Sequence, residues 1–392
     1  LNINYEKFEI PQDILNFCNS ITKQNNDLYN TWTKLFHLHG KKDLIEKYFI
    51  KSIEITNDEL CSIKDKHFNE KTSLATRNLS GQMLGFLQEK YNNVVVGSAD
   101  LAKSNCVMTK YSQSINANSF KGNYINYGIR EHAMGAIMNG LYLYGGLLSI
   151  GSTFLVFSDY MRASIRLSSL MHLGVIYVLT HDSISVGEDG PTHQPVEHIP
   201  SLRAIPNVNV FRPCDAIEVA ECYQIALQNK NTPSAFVLSR QNIQMLRNQY
   251  EKTTNLSSKG AYIIKESENF EKDLYRIIAS GAEVELACMV SNKLYEKGIL
   301  SSVISVPCLE VFDKQSDEYK NTILGIDKNN SGGVKRIFIE AANLMSYYKY
   351  CNPFEDIIVE MSSFGLSGKD KDVMSYFGFT VNAIVDKVLK NK

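Results

Sequence analysis

The sequence predicts an α/β protein in which two doubly wound, mostly parallel sheet domains follow a helical arm. Two observations carry this prediction: short apolar runs alternate with helical segments, and a polar stretch at 248–259 divides this series into two. The length of 392 residues is enough for two or three domains. We therefore place the arm at residues 1–73, the first sheet domain at 74–247 and the second at 260–392.

The arm is predicted from apolar residues that recur at three- and four-residue spacing, which is the period of an amphipathic helix. Ile14 and Phe17 begin one such pattern, and Trp32 belongs to a second one. Because a polar run at 24–27 separates the two patterns, we expect two helices between residues 11 and 51.

Each sheet domain is predicted from apolar runs of strand length that are bounded by polar or glycine-containing segments. In the first domain these runs are Val94–Val96, Leu147–Ile150, Val175–Leu179, Val208–Phe211 and Ala235–Leu238. In the second domain they are Tyr275–Ala279, Ser302–Val306, Ile337–Ile339 and Ile357–Val359, followed by a helix at about 379–390. Their alternation with helical segments predicts parallel strands joined by crossover helices.

One stretch, His132–Ser158, contains no Asp, Glu, Lys or Arg and is long enough to span a membrane. Five glycines interrupt it, namely Gly135, Gly140, Gly145, Gly146 and Gly151. We interpret the stretch as a buried helix at about 131–144 followed by a buried strand at about 147–151. No membrane partner is therefore expected.

The charge balance gives no reason to expect a nucleic-acid or membrane-surface partner. The chain has 41 Lys and Arg against 42 Asp and Glu, a formal net charge of -1. Its eight cysteines form no Cys-x-x-Cys pair, so we expect reduced thiols, a cytoplasmic location and no metal ligands in this chain. The first residue is Leu1 rather than Met, which suggests a truncated chain.

Three segments place chemically reactive side chains close together in the chain. Residues 128–134 read Gly-Ile-Arg-Glu-His-Ala-Met, residues 181–183 read His-Asp-Ser, and residues 187–195 read Gly-Glu-Asp-Gly-Pro-Thr-His-Gln-Pro. A carboxylate that opens a glycine-rich helix, followed by an acid and two imidazoles in tight turns, is typical of proton transfer on a small polar substrate.

Several candidate residues also follow predicted strands, where the sites of open parallel sheets lie. They are Asp100, Phe154, Phe157, His181 and Arg240. Taken singly, each residue type is more common in a core or in a surface turn, so it is their concentration that predicts a site at this edge of the sheet.

The sequence resembles transketolases, which use thiamine diphosphate to move two-carbon ketol units between sugar phosphates. The resemblance runs from about residue 9 to the C-terminus. Besides the three segments above, the motifs that carry it are Ala75-Thr76-Arg77, Gly97-Ser98-Ala99-Asp100-Leu101, Leu238-Ser239-Arg240-Gln241-Asn242 and Phe312-Asp313-Lys314-Gln315. The resemblance implies a thiamine diphosphate enzyme that acts on sugar phosphates as a homodimer.

By the same resemblance, Glu131 contacts the aminopyrimidine ring of the cofactor across the subunit interface. The implied catalytic residues are Glu131, His181 and His193, and the ring is expected to contact Phe154, Phe157 and Tyr160. The implied substrate contacts are Arg77, Ser104, His181, Asp189, His193 and Arg240. Ser185 stands where relatives usually carry Gly, which puts the geometry of its turn in question.

Transketolases also carry an N-terminal Gly-Asp-Gly…Asn segment that binds Mg²⁺ and the diphosphate, and we find no such segment in this sequence. We therefore expect a fragment of a longer chain or one subunit of a split enzyme, inactive alone, with its Mg²⁺ ligands in the missing domain. Two other hypotheses stay open. One is another thiamine diphosphate enzyme, such as a dihydroxyacetone synthase, a deoxyxylulose-phosphate synthase or a 2-oxoacid dehydrogenase β subunit. The other is a non-catalytic scaffold with the same fold.

Overall fold

The structure is a computed structural model of the chain. It describes residues 6, 8–38, 43, 53–247, 252–326, 334–352 and 354–390. The chain divides into one unit that ends at Ser52 and a compact second unit that starts at Ile53. The described part of the first unit is built on helix α1 (Gln12–Leu38).

Helix α1 is continuous across residues 24–27, so the expected break between two arm helices is wrong. The polar run contains neither Pro nor Gly, and each of its residues costs less than about 0.7 kcal/mol relative to Ala in a helix. Such a run weakens a helix without ending it. Within α1 the ring of Trp32 stacks on that of Phe36, with centroids 5.2 Å apart. Apart from Asp43, residues 39–51 of the predicted second helix lie outside the described residues.

The second unit begins with a domain built on a six-stranded parallel sheet. Its helices and strands, in chain order, are α2 (Asn57–Asn69), β1 (Leu74–Ala75), α3 (Thr76–Lys90), β2 (Val94–Ser98), β3 (Tyr124–Asn126), α4 (Glu131–Tyr144), β4 (Leu148–Phe154), α5 (Arg162–Leu170), β5 (Ile176–Thr180), α6 (His198–Arg203), β6 (Asn209–Phe211), α7 (Ala216–Gln228), β7 (Ser234–Leu238) and β8 (Asn242–Ile243). The strand order is β3-β2-β4-β5-β7-β6, and β1 pairs with β8 in a separate antiparallel ladder.

Both faces of this sheet are buried, as its continuous apolar runs predict. Along β5, Ile176 and Val178 belong to one apolar cluster, whereas Tyr177 and Leu179 belong to another. Successive side chains of a strand point to opposite faces, so the two clusters cover the two sides of the sheet. The polar ends of the strands are thereby left as the place where a site can form.

Helix α2 packs with this domain although it precedes residue 74. Thr56 caps the helix, accepting from the backbone N–H of Glu59, whose carboxylate accepts from the N–H of Thr56 in return. Ile55 and Leu60 are each 2% exposed and belong to the apolar cluster that contains Ile176. We therefore propose that the first sheet domain starts near Ile53, within what the sequence assigned to the arm.

A second domain carries a five-stranded mixed sheet. Its helices and strands, in chain order, are β9 (Tyr262–Lys265), β10 (Tyr275–Ala279), α8 (Glu283–Tyr295), β11 (Ser301–Ser305), α9 (Leu309–Asp313), α10 (Asp317–Leu324), β12 (Lys335–Ile339), β13 (Ile357–Val359), α11 (Asp370–Tyr376) and α12 (Val381–Lys390). The strand order is β13-β12-β10-β11-β9, and only β9 runs antiparallel to its neighbour. The predicted class of two mostly parallel sheet domains after a helical arm is confirmed.

The uncharged stretch at 132–158 contains helix α4 and strand β4, as predicted. The helix occupies the expected residues, whereas the strand continues to Phe154 instead of ending near residue 151. This extension brings Phe154 to the carboxyl edge of the sheet. Among the described residues, no helix combines the length and the apolar character needed to cross a membrane.

A buried ionic cluster joins the two sheet domains. Arg212, which is fully buried, donates to Asp182 at 3.0 Å in the first domain and to Glu283 in the second. Glu340 of the second domain lies 3.6 Å from the same guanidinium group. Because Asp182 directly follows His181, the cluster also anchors the end of β5 where a candidate site residue lies.

Candidate functional site

A cleft of about 770 Å³ opens at the carboxyl edge of the six-stranded sheet. It is lined by Ala99, Asp100, Leu101, Ile129, Arg130, Glu131, His132, Ala133, Phe157 and Tyr160. Glu131 begins helix α4 and is 8% exposed, and its carboxylate makes no hydrogen bond or ion pair within the described part of the chain. Ile129 and Tyr160 are exposed at 80% and 68%, which leaves an apolar rim around this carboxylate.

Next to the cleft, aromatic rings and both candidate histidines form one cluster. The rings of Phe154 and Phe157 stack with centroids 5.7 Å apart, and Tyr160 lies 6.1 Å from Phe157. His181 lies 3.8 Å from Phe154, and His193 lies 5.5 Å from Phe157. The structure thus brings together residues that the sequence placed on two strand ends and in one turn.

A basic group lies on the other side of His181. Arg77, in the first turn of α3, donates to the backbone oxygen of Ser104 at 2.7 Å and lies 3.5 Å from Nε2 of His181. Arg240 follows β7 and is exposed, and its charge lowers the pKa of His181, as does that of Arg77. Arg77 thus contacts both Ser104 and His181, and Arg240 is near enough for its charge to act on His181. Such a basic group can bind a dianion.

Hydrogen bonds define the tautomer of His181. The hydroxyl of Thr180 donates to Oδ1 of Asn105 at 2.8 Å, so its oxygen can only accept from Nδ1 of His181, also at 2.8 Å. Nδ1 therefore carries the proton, and Nε2 is left as an acceptor that faces Arg77. Asn105 is fully buried and also donates to Ser152, which ties the histidine to the sheet. Asn105 was not among the predicted site residues because nothing in its local sequence distinguishes it.

Burial, together with the charges of Arg77, Arg240 and His193, lowers the pKa of His181 to about 3. In the unfolded chain the His181 imidazole binds a proton as the pH falls below about 6.5, whereas in the folded chain it stays neutral. Its contribution to the free energy of unfolding is therefore complete above pH 6.5 and is lost as the pH falls towards 3. Between pH 7 and pH 5, we expect the wild type to lose about 2 kcal/mol more unfolding free energy than His181→Gln. Urea unfolding at both values measures this difference, and equal losses in the two proteins would contradict it.

The turn at 187–195 is held by the second sheet domain. Gly187 and Gly190 have positive φ values of 81° and 75°, which glycine adopts without strain. The amide of Gln194 donates to the backbone oxygens of Gly187 and Leu366, each at 2.9 Å, and Ser367 donates to that of Glu188 at 2.8 Å. The contacts with Leu366 and Ser367 were not visible in the sequence because they join residues more than 170 positions apart.

Two residues of this turn were predicted to contact substrate. His193 is half-buried and lies in the ring cluster described above. Asp189 is exposed, and within the described residues no hydrogen bond or ion pair joins it to the other candidates. The structure therefore places Asp189 on the surface of the same turn without a direct contact to them.

Ser185 fits the site without disrupting the turn. Its hydroxyl donates to the side-chain oxygen of Gln241 at 2.9 Å and lies 2.8 Å from the hydroxyl of Ser183. Gln241 directly follows Arg240 in the chain. The Ser185 hydroxyl therefore adds a polar link between the turn and the basic group.

Comparisons with known proteins match both sheet domains. A model of the family Transketolase, pyrimidine binding domain, matches residues 72–245, and one of Transketolase-like TK C-terminal domain matches residues 260–380. A transketolase of Sinorhizobium medicae is 46% identical over 334 residues, which cover 85% of this chain and 46% of the relative.

Solved structures agree with these matches. A transketolase from Campylobacter jejuni is 35% identical with a TM-score of 0.83, over 99% of this chain and 56% of its own. A transketolase complex with sedoheptulose-7-phosphate from Pichia stipitis is 31% identical with a TM-score of 0.83, over 98% and 56%. The chain spans about half the length of these relatives.

Proposed function

We propose that the chain supplies one half of a transketolase active site. It belongs to the transketolase family and carries the pyrimidine-binding and C-terminal domains of that family. The proposed reaction transfers a two-carbon ketol unit from a ketose phosphate to an aldose phosphate. The observation that carries this proposal is the position of Glu131. Its buried carboxylate has no partner among the described residues, and a stack of rings and a group of two arginines lie nearby.

The residues around the cleft fit the aminopyrimidine ring of thiamine diphosphate. Phe157 and Tyr160 offer flat apolar faces to a heteroaromatic ring, and Phe154 supports Phe157 from behind by stacking. Glu131 can hold a proton against a ring nitrogen because no protein group competes for its carboxylate among the described residues. Bound thiamine diphosphate supplies the carbon nucleophile that accepts the two-carbon unit. Once a partner domain covers the cleft, the apolar Ile129 and Tyr160 would help to keep water from the proton held by Glu131.

The basic group next to His181 is proposed to bind the substrate phosphate. Arg77 and Arg240 provide the positive charge, and guanidinium groups suit a phosphate because their donors form a planar fork. The neutral His181 accepts from Arg77 and so orients it, while Ser104 holds the same guanidinium through its backbone oxygen. His193 and Asp189 are proposed to contact the ketol part of the sugar. The Pichia stipitis complex with sedoheptulose-7-phosphate supports a sugar phosphate as substrate.

The diphosphate and Mg²⁺ are proposed to be held by another domain, since the Gly-Asp-Gly…Asn segment is not present in this sequence. The cleft itself supports an interface at this position, because Ile129 and Tyr160 expose apolar surface around Glu131. We propose that this surface meets a diphosphate-binding domain in a homodimeric assembly. A cytoplasmic location remains a prediction.

Mixing the purified chain with a separately produced diphosphate-binding domain of a related transketolase tests this proposal. With thiamine diphosphate and Mg²⁺ present, we expect neither part to transfer ketol units alone and the mixture to do so with sedoheptulose-7-phosphate as donor. An inactive mixture whose complex is verified by sedimentation would favour the scaffold hypothesis. Activity with pyruvate in place of the ketose phosphate would favour another thiamine diphosphate enzyme.

Replacing Arg240 with Ala is expected to raise the KM for a phosphorylated donor about 10- to 100-fold, because a hydrogen bond to a charged group contributes about 1.5–3 kcal/mol. The KM for a non-phosphorylated ketose donor should change little. Arg166→Ala, which removes an exposed arginine of α5, is the matched control. Equal losses for the two donors would argue against a phosphate contact at Arg240.

A further inference from the structure

The geometry points to a divalent transition-metal site, apart from the cofactor cleft, formed by Asp159, Glu197 and His198. His198 begins helix α6, Glu197 precedes it, and Asp159 belongs to the short 3-10 segment at 155–161. One ligand atom of each residue lies within 4.8 Å of the other two. Residues 159 and 198 are far apart in the chain, which is why the sequence predicted no metal ligands.

His198 is the residue that most clearly indicates a bound ligand. Its side chain is 4% exposed, and neither ring nitrogen makes a hydrogen bond with the described residues. A buried polar group left in this state destabilises the fold. Nε2 lies 3.1 Å from Oδ2 of Asp159, and Nδ1 lies 3.8 Å from Oε2 of Glu197. The imidazole therefore lies close to the two carboxylates without forming a well-aligned hydrogen bond to either.

The distances suit two ligands of a single ion. Zinc bonds imidazole nitrogen and carboxylate oxygen at about 2.0–2.2 Å, so neighbouring ligand atoms lie roughly 3–3.5 Å apart. Nε2 of His198 and Oδ2 of Asp159 already have this separation. The Glu197 side chain is 58% exposed and can turn to complete the set. An imidazole with two carboxylates favours Zn²⁺ or a similar ion over Mg²⁺ and Ca²⁺, which prefer oxygen ligands alone.

A bound ion would fasten helix α6 to the segment that bears Phe157 and Tyr160. Arg162, which directly follows that segment, already contacts α6, donating to the hydroxyl of Ser201 at 2.9 Å and to its backbone oxygen at 2.7 Å. The ion would add a link at the first residue of α6, about one helical turn before Ser201. This site does not depend on the proposed function, and it is different from the Mg²⁺ site expected in another domain.

Titration of the tag-free chain with Co²⁺, a spectroscopic substitute for Zn²⁺, tests the site directly. We expect one ion per chain, visible d–d absorption bands and no thiolate charge-transfer band. His198→Gln and Asp159→Asn should each weaken binding at least about tenfold. His172→Gln, which changes an exposed histidine outside the proposed ligand group, should bind Co²⁺ as the wild type does. Zn²⁺ should raise the melting temperature of the wild type but not that of Asp159→Asn.

Three results would overturn the proposal. They are the absence of a saturable site, wild-type affinity in both ligand variants, and a thiolate band that assigns the ion to the cysteines. Asp159→Asn keeps the test decisive even if His198→Gln fails to fold, because Asp159 is 58% exposed and Asn preserves its shape.

Discussion

Replacing Glu131 with Gln is expected to lower kcat of the reconstituted enzyme by about 10²- to 10⁴-fold, the usual contribution of a positioned acid or base. The amide has the shape of the carboxylate but cannot hold the proton that the pyrimidine ring nitrogen requires. Folding should be unaffected, because the carboxylate makes no hydrogen bond or ion pair with the described residues that the substitution would break. Ketol transfer in the mixture with a diphosphate-binding domain measures the effect.

Two controls separate this role from a general effect of removing a charge. Glu89→Gln removes an exposed carboxylate near the end of helix α3 and should keep wild-type kcat. Circular dichroism and thermal unfolding should coincide for the wild type and both variants. If Glu131→Gln retained more than about a tenth of wild-type kcat, the proton-holding role would have to be abandoned. Loss of complex formation would instead assign Glu131 to the interface.

The sheet framework could be predicted because each buried parallel strand leaves a local record in the sequence. Tyr275–Ala279 and Ile357–Val359 form the strands that their apolar runs indicated. Helix α1 was divided wrongly because weak helix formers at 24–27 were interpreted as a break. The predicted end of strand β4 was too early because Ser152 and Thr153, which precede its last residue, are polar although fully buried.

The candidate site was predictable only where its residues lie on strand ends or in a recognisable turn. Sites in open parallel sheets lie beyond the carboxyl ends of the strands. His181 and Arg240 follow predicted strands, so this rule identifies them. Asn105 and Gln194, which hold His181 and the turn in place, act through contacts with residues far away in the chain. A single sequence has no signal for such pairings, because an Asn or Gln in a loop is most often a solvated residue.

The buried cluster around Arg212 leads to the largest expected effect on stability. Arg212→Met should lower the free energy of unfolding by about 3–5 kcal/mol, because it leaves buried carboxylates without their cation. Asp182, Glu283 and Glu340 are each 1% exposed, and burial raises the pKa of the Glu283 carboxyl even with Arg212 beside it. Urea unfolding measures the loss. Lys293→Met, which breaks an exposed pair with Glu296, should change stability by less than about 1 kcal/mol.

The same cluster allows the cause of that loss to be isolated. If uncompensated charge is responsible, Glu283→Gln should recover stability in the Arg212→Met background, although it should destabilise the wild type by leaving Arg212 one partner short. Opposite signs of one substitution in two backgrounds cannot arise from lost packing alone. Equal destabilisation by Glu283→Gln in both backgrounds would show that Arg212 stabilises through its buried methylene groups instead. Because Asp182 follows His181, the loss of its ion pair in Arg212→Met should also expose His181. We expect the pKa of the His181 imidazole, measured by NMR, to rise towards 6.5 in this variant.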